Sequence, residues 1–174
     1  MLYFVRHGQS QANLDAVFAG PRLYAPLTKL GIDQAKEAAK RILEQRIHID
    51  QIVTSPIERA LRTAQIIARG IGSDPDAVRS DPRLAEYDFG ERSGQSTKGV
   101  TPAQKISAPG AEDPWAFQDR IKAALAAMAS LPGNTLIVSH AGVGRMIEAT
   151  KQGLEPARFY ELEGYPNARV IELR

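Results

Sequence analysis

Short apolar runs alternate with longer amphipathic stretches along this chain. Leu2–Val5 is a compact apolar run that stops at Arg6-His7-Gly8, and a run bounded this way reads as a buried strand. Residues 9–26 show no helical period and carry Gly20, Pro21 and Pro26, so they read as loop with room for a helical turn. Thr28 can cap a helix running to about Gln45, with Leu30, Ala35, Ala38, Ile42 and Leu43 on one face. Ile49–Thr54 is the second strand. Ser55-Pro56-Ile57-Glu58 predicts a capping box with proline at the first helical position, and a helix to about Arg69 that Gly70 ends. Residues 72–114 are irregular, with a short third strand near Ala77–Ser80. A helix resumes at Pro114 through Phe117, Ile121, Leu125 and Met128 and ends near Pro132-Gly133. Thr135–Ser139 (TLIVS) is the clearest buried strand, Gly142–Gln152 is helical, and Ala168–Leu173 is a mixed strand suited to a sheet edge.

Strands alternating with helices predict a three-layer α/β/α fold with a mostly parallel central sheet. The length suits one domain over residues 1–174, with a short lid or loop region at about 88–114. Apolar residues make up 43% and charged residues 24%, the balance of a globular protein. No apolar run approaches the roughly 18–20 residues of a membrane span, and no basic region precedes Leu2–Val5 as in a signal peptide. These features place the chain in the cytoplasm, with no membrane partner. With 22 basic and 20 acidic residues and no basic block, nothing points to nucleic acid. The absence of cysteine excludes disulfides, thiolate catalysis and cysteine metal sites, and the three histidines, His7, His48 and His140, leave little for any other metal site.

Parallel sheets bind ligands at the carboxyl ends of their strands. The first strand is followed by Arg6-His7-Gly8, the second by Ser55 and then Arg59 one turn into a helix, and TLIVS by His140-Ala141-Gly142. Topology therefore delivers two histidines and two arginines to one rim, a set that suits phosphate. Guanidinium groups match phosphate oxygens. A helix start at Ala141 and Gly142 offers unpaired N–H groups, and Gly8 and Gly142 let backbone approach closely. A neutral imidazole can attack phosphorus when its other nitrogen is held by an acceptor, and nearby positive charge keeps His7 neutral. The second histidine can steady the equatorial oxygens. The leaving oxygen needs a proton, and Leu84–Gly90, in the irregular segment that crosses the rim, offers Glu86 and Asp88, with Glu91 just beyond. His48-Ile49-Asp50 supplies too few ligands for a metal. Gly142-Val143-Gly144 lacks the third glycine of a dinucleotide loop. Trp115 and Phe117 read as core or lid packing, Lys98 and Lys105 as solvated loop charges or contacts to an acidic substrate, and Arg62 and Arg69 as surface or supporting charges.

Taken together these motifs resemble the histidine phosphatase superfamily, in its phosphoglycerate mutase-like branch. RHGQSQAN resembles the nucleophile motif, which implies that His7 is the nucleophile, Arg6 a phosphate ligand and Asn13 a phosphate neighbour. SPIERALRTA carries Arg59 at the second phosphate arginine, LAEYDFGERSG puts Glu86 at the proton donor, and VSHAG puts His140 at the second catalytic histidine. PLTKLGIDQA and the PGAED and FQDR segments are similar to further family stretches. Departures occur at Arg92-Ser93, Ala111 and Asp113, and the segment between Gly94 and Glu112 is short, which favours a phosphatase over the mutases with their longer insertions. The resemblance implies a metal-independent phosphomonoesterase that works through a phosphohistidine without a cofactor. Its partner would be a small phosphorylated metabolite, and the chain a monomer or homodimer. The alternatives are a cofactor-dependent phosphoglycerate mutase-type phosphotransferase, a phosphoprotein phosphatase and a non-catalytic phosphate-binding module.

Overall fold

The computed structural model describes residues 1–173; Arg174, the last residue of the expected domain, lies outside the described residues. Five strands, β1 (Leu2–Arg6), β2 (Gln51–Thr54), β3 (Arg79–Ser80), β4 (Thr135–Ser139) and β5 (Val170–Leu173), form one sheet in the order β3-β2-β4-β1-β5. All neighbouring pairs are parallel except β1 with β5, so the expected edge strand closes the sheet in the opposite sense. Side chains alternate between its faces. Tyr3, Val5, Ile52, Leu136 and Val138 meet α2 (Lys29–Glu44) and α3 (Glu58–Gly70). Phe4, Val53 and Ile137 meet α5 (Pro114–Ala129) and α6 (Ala141–Lys151), through Phe117, Ile121, Val143 and Met146. Helices thus cover both faces, as the near-continuous apolar strands require. No helix among the described residues is long and apolar enough to cross a membrane.

Several local expectations change. In α2 the buried face is Gly31, Ala35, Ala38, Ala39 and Ile42, while Leu30 and Leu43 are 52% and 55% exposed. The small residues face inward because α2 lies very close to its neighbours. A Cβ on Gly31 would come within 2.0 Å of the Gln9 carbonyl oxygen, and one on Gly70 within 2.5 Å of Ala39 Cβ. α3 ends at Gly70 as expected, and the left-handed glycine that follows it is Gly72. The capping box at Ser55 does not form, and α3 starts at Glu58 after Ile57. The Ser55 N–H is already bonded to the Val138 carbonyl as a continuation of the sheet, so Glu58 has no cap N–H to reach. The loop after β1 does contain a helical turn, α1 (Gln11–Asp15), closed by a reciprocal Ser10–Asn13 box. The 72–114 segment contains three 3-10 turns and one short α-helix, α4 (Pro102–Ile106), capped by Thr101 and Gln104. Trp115 is 52% exposed, so Phe117 alone of that pair enters the core.

Candidate active site

The register of the three central strands sets the site. Arg6 lies opposite Ser139, and Thr54 opposite Val138, so β1, β2 and β4 stop at nearly the same level. The residue after each is then His7, Ser55 and His140. The His7 N–H donates to the Ser139 carbonyl at 2.9 Å, and the Asn167 amide donates to the His7 carbonyl at 2.7 Å. The His7 and His140 rings stand edge to face, 5.1 Å between centroids. Above this rim is a cavity of about 280 Å³ lined by Arg6, His7, Asn13, Arg59, Glu86 and Ala141 together with residues of the 10–20 loop, Lys105, Arg145 and Tyr160.

His7 is fully packed and its tautomer is fixed. Its Nδ1 lies 2.7 Å from the Gly8 carbonyl oxygen, which can only accept, so Nδ1 carries the hydrogen and Nε2 the lone pair. Arg59 Nε donates to that Nε2 at 3.2 Å, and Arg59 Nη2 donates to the Gly20 carbonyl at 3.0 Å. Burial, then the charges of Arg59 and Arg6, hold His7 well below the usual imidazole range, so the ring is neutral at neutral pH. Gly8 stands outside the cavity lining. Its N–H goes to Thr63 Oγ1, and a side chain on it would strike the Gly31 carbonyl oxygen at 2.2 Å. The glycine permits the β1 loop to lie on α2, and its carbonyl orients the histidine.

His140 also stays outside the lining, with its ring edge-on to that of His7. Its Nε2 is 2.7 Å from Ser55 Oγ, which accepts from the Ile57 N–H. Burial and the Arg59 charge push its pKa well down as well. Of the five buried side-chain polar atoms without a hydrogen-bond partner among the described residues, three belong to this site: Arg6 Nε and Arg59 Nη1, whose side chains line the cavity, and His140 Nδ1 beside it. Leaving such atoms unpaired costs roughly 1–3 kcal/mol each, and more for charged groups, so this grouping marks a place suited to an acceptor-rich anion.

Glu86 is buried at the start of α6. Its two oxygens accept from the Tyr87 and Gly142 N–H groups, at 2.9 and 3.2 Å. This carboxylate serves the helix start that His140 leaves without a side-chain cap. A Cβ on Gly142 would come within 2.2 Å of Glu86 Oε1, so any larger residue there would displace the carboxyl group. Arg120 on α5 steadies the Glu86 loop by donating to the carbonyls of Arg83, Ala85 and Glu86 while pairing with Glu112 through two nitrogens. Asp88 instead pairs with Arg22, and Glu91 is exposed, so of the three carboxyl groups Glu86 alone lines the cavity.

Sequence reasoning missed Ser55 as the partner of His140, Asn167 as the partner of His7, and Arg145 and Tyr160 in the lining. Of the two lysines read as solvated charges or contacts to an acidic substrate, Lys105 faces the cavity and Lys98 is exposed. Asn13 lines the cavity and uses Oδ1 to close its capping box on Ser10. His48 pairs with Asp50, which also accepts from the Asn134 N–H, a purely structural turn. No group of three or more His, Cys, Asp and Glu side chains is placed to hold a metal among the described residues.

The profile of the histidine phosphatase superfamily (branch 1) matches residues 2–174. A protein named probable phosphoglycerate mutase GpmB from Salmonella choleraesuis is 34% identical over 153 residues, covering 80% of this chain and 68% of that protein. Among solved structures, mycobacterial glucosyl-3-phosphoglycerate phosphatase in complex with VO3 superposes with a TM-score of 0.79 at 28% identity, over 97% of this chain and 90% of that one. YhfR of Bacillus stearothermophilus superposes with a TM-score of 0.82 over 97% of this chain and 88% of that one, and at 24% identity it speaks to the fold alone.

Proposed function

The chain belongs to the histidine phosphatase superfamily, branch 1, and from that premise we propose that it hydrolyses a phosphomonoester through a phosphohistidine on His7. The observation that carries this reading is the fixed tautomer of His7, with Nδ1–H tied to the Gly8 carbonyl and the Nε2 lone pair beside Arg59. Arg6 and Arg59 bind the phosphate oxygens, and Arg59 Nε turns from His7 to the substrate as it arrives. Asn13, the N–H of Ala141 and His140 complete the cradle. Nε2 attacks phosphorus in line, the P–O bond to the alcohol breaks, and Glu86, which takes up a proton when the phosphate dianion enters beside it, gives that proton to the leaving oxygen. Glu86 then takes a proton from water as that water attacks the phosphohistidine, which releases phosphate and restores His7. The glucosyl-3-phosphoglycerate phosphatase likeness supports hydrolysis. The relative named as a probable mutase favours a second reading, return of the phosphoryl group to a hydroxyl of a phosphoglycerate.

Hydrolysis of p-nitrophenyl phosphate in EDTA, by wild type and by His7→Ala, tests the reading. Wild-type turnover that falls at least about 1000-fold in the variant supports it. Undiminished turnover in His7→Ala overturns it. Phosphohistidine on His7 whose transfer requires a phosphoglycerate acceptor would establish the mutase reading instead.

A further inference from the structure

Four cations line the cavity, Arg6, Arg59, Lys105 and Arg145, against the single carboxylate of Glu86. None of the four forms an ion pair among the described residues. Arg6 and Arg59 flank His7 and suffice for a dianionic phosphoryl group. Lys105 and Arg145 remain, and they form a unit of their own. Both lie against one ring, with the Arg145 guanidinium carbon 4.9 Å and Lys105 Nζ 5.3 Å from the Tyr160 centroid.

Arg145 is held in place. Its Nε donates to the Leu162 carbonyl at 2.9 Å, and a Cβ on Gly164 would come within 2.8 Å of the guanidinium carbon, so Gly164 passes close to the group. Nη1 and Nη2 are left without an acceptor among the described residues. Lys105 comes from α4, in the segment that crosses the rim, and burial and the Arg145 charge lower its pKa. Two half-buried like charges that reach one ring and act on each other cost energy unless an anion offsets them.

We propose that Lys105, Arg145 and the Tyr160 ring form a second anion subsite, so that the substrate carries a carboxylate or a second phosphate on its leaving group. The inference rests on the phosphoryl site proposed above and adds the class of leaving group. A neutral alcohol would leave this pair uncompensated; a carboxylate or phosphate would receive the guanidinium fork and the ammonium together.

Calorimetric binding of three phosphonates to the full chain tests it without turnover: propylphosphonate, 3-phosphonopropanoate and propane-1,3-bisphosphonate. Either doubly anionic compound should bind at least about tenfold more tightly than propylphosphonate. The ratio between the two tells carboxylate from phosphate as the second group. Arg145→Gln and Lys105→Gln should each erase most of that advantage, and Arg145→Lys should restore part of it, with melting curves showing that the variants fold. Equal affinity of all three compounds for the wild type overturns the subsite, even if p-nitrophenyl phosphate is hydrolysed. The expected preference in a protein that hydrolyses no ester would uphold the subsite and overturn the phosphatase reading alone. Failure to bind any phosphonate overturns both.

Discussion

At the scale of single residues, the site denies charge to one group and gives it to others. In the phosphatase reading proposed above, His7 offers a lone pair, and protonation would remove it. Burial is the largest force against the imidazolium, followed by the charges of Arg59 and Arg6. Replacing Arg59 by glutamine removes a positive charge from the lone-pair side, which makes the protonated ring less costly, so the His7 pKa rises in Arg59→Gln. The measurement is an NMR titration of the His7 ring carbon in the free protein. In the wild type it should show no transition near the ordinary value of 6.5, and in Arg59→Gln a transition moved toward it. A wild-type His7 that titrates at 6.5 or above would break this account. The same residue scale was the most legible in the sequence. Arg6, His7, Arg59 and His140 follow strands or open helices, so their positions derive from topology. Tyr160 sits in a short 3-10 turn with no period to reveal it, and Arg145 reads as one more polar residue on an amphipathic helix. Only the folded chain brings them to Lys105.

At the scale of elements, the site depends on helices that approach closely. Glycine in a helix interior normally costs about 1 kcal/mol relative to alanine, so Gly70→Ala on α3 would ordinarily stabilise the protein. Here the new methyl would meet Ala39 Cβ at 2.5 Å, and neither group can rotate away. The collision wins, and Gly70→Ala should destabilise by about 1–3 kcal/mol in urea denaturation. Ala39→Gly removes the opposing methyl, so the double variant should recover a large part of that loss, a coupling that independent sites do not show. Additive effects would mean that α2 and α3 have room to separate. This contact also explains why the hydrophobic pattern found Ala35, Ala38 and Ile42 on the inner face of α2 but added Leu30 and Leu43 to it. Periodicity favours the larger residues, whereas close packing puts Gly31 and Ala39 in their place. At Ser55 the local cap reading failed for a similar reason. Its N–H continues the sheet and its hydroxyl serves His140, and tertiary partners outrank the local motif.

At the scale of the whole molecule, the two buried histidines tie stability to pH. Strands were legible because three of them are buried on both faces, and the same burial surrounds His7 and His140 with low-dielectric protein and two arginines. Both folded-state values lie well below 6.5, the value expected once the chain unfolds. Between those limits the unfolded chain binds more protons than the folded one, so unfolding free energy falls as pH falls. The contribution is fully present above about 6.5 and is lost progressively below it. Each histidine contributes a slope on the order of 1 kcal/mol per pH unit while it stays neutral in the fold, against a total stability of about 5–15 kcal/mol for a typical domain. Carboxylates with lowered values, Asp50, Asp81 and Glu161, respond only below their ordinary 3.8 to 4.5, so they leave the window above pH 5 to the histidines. Urea denaturation from pH 7.5 to 5 should therefore show a continuous decline that starts near 6.5. His7→Gln, which cannot take up a proton, should remove about half of the decline. A stability that stays flat across this range would mean that both rings charge without cost in the folded protein, contrary to their burial beside Arg6 and Arg59.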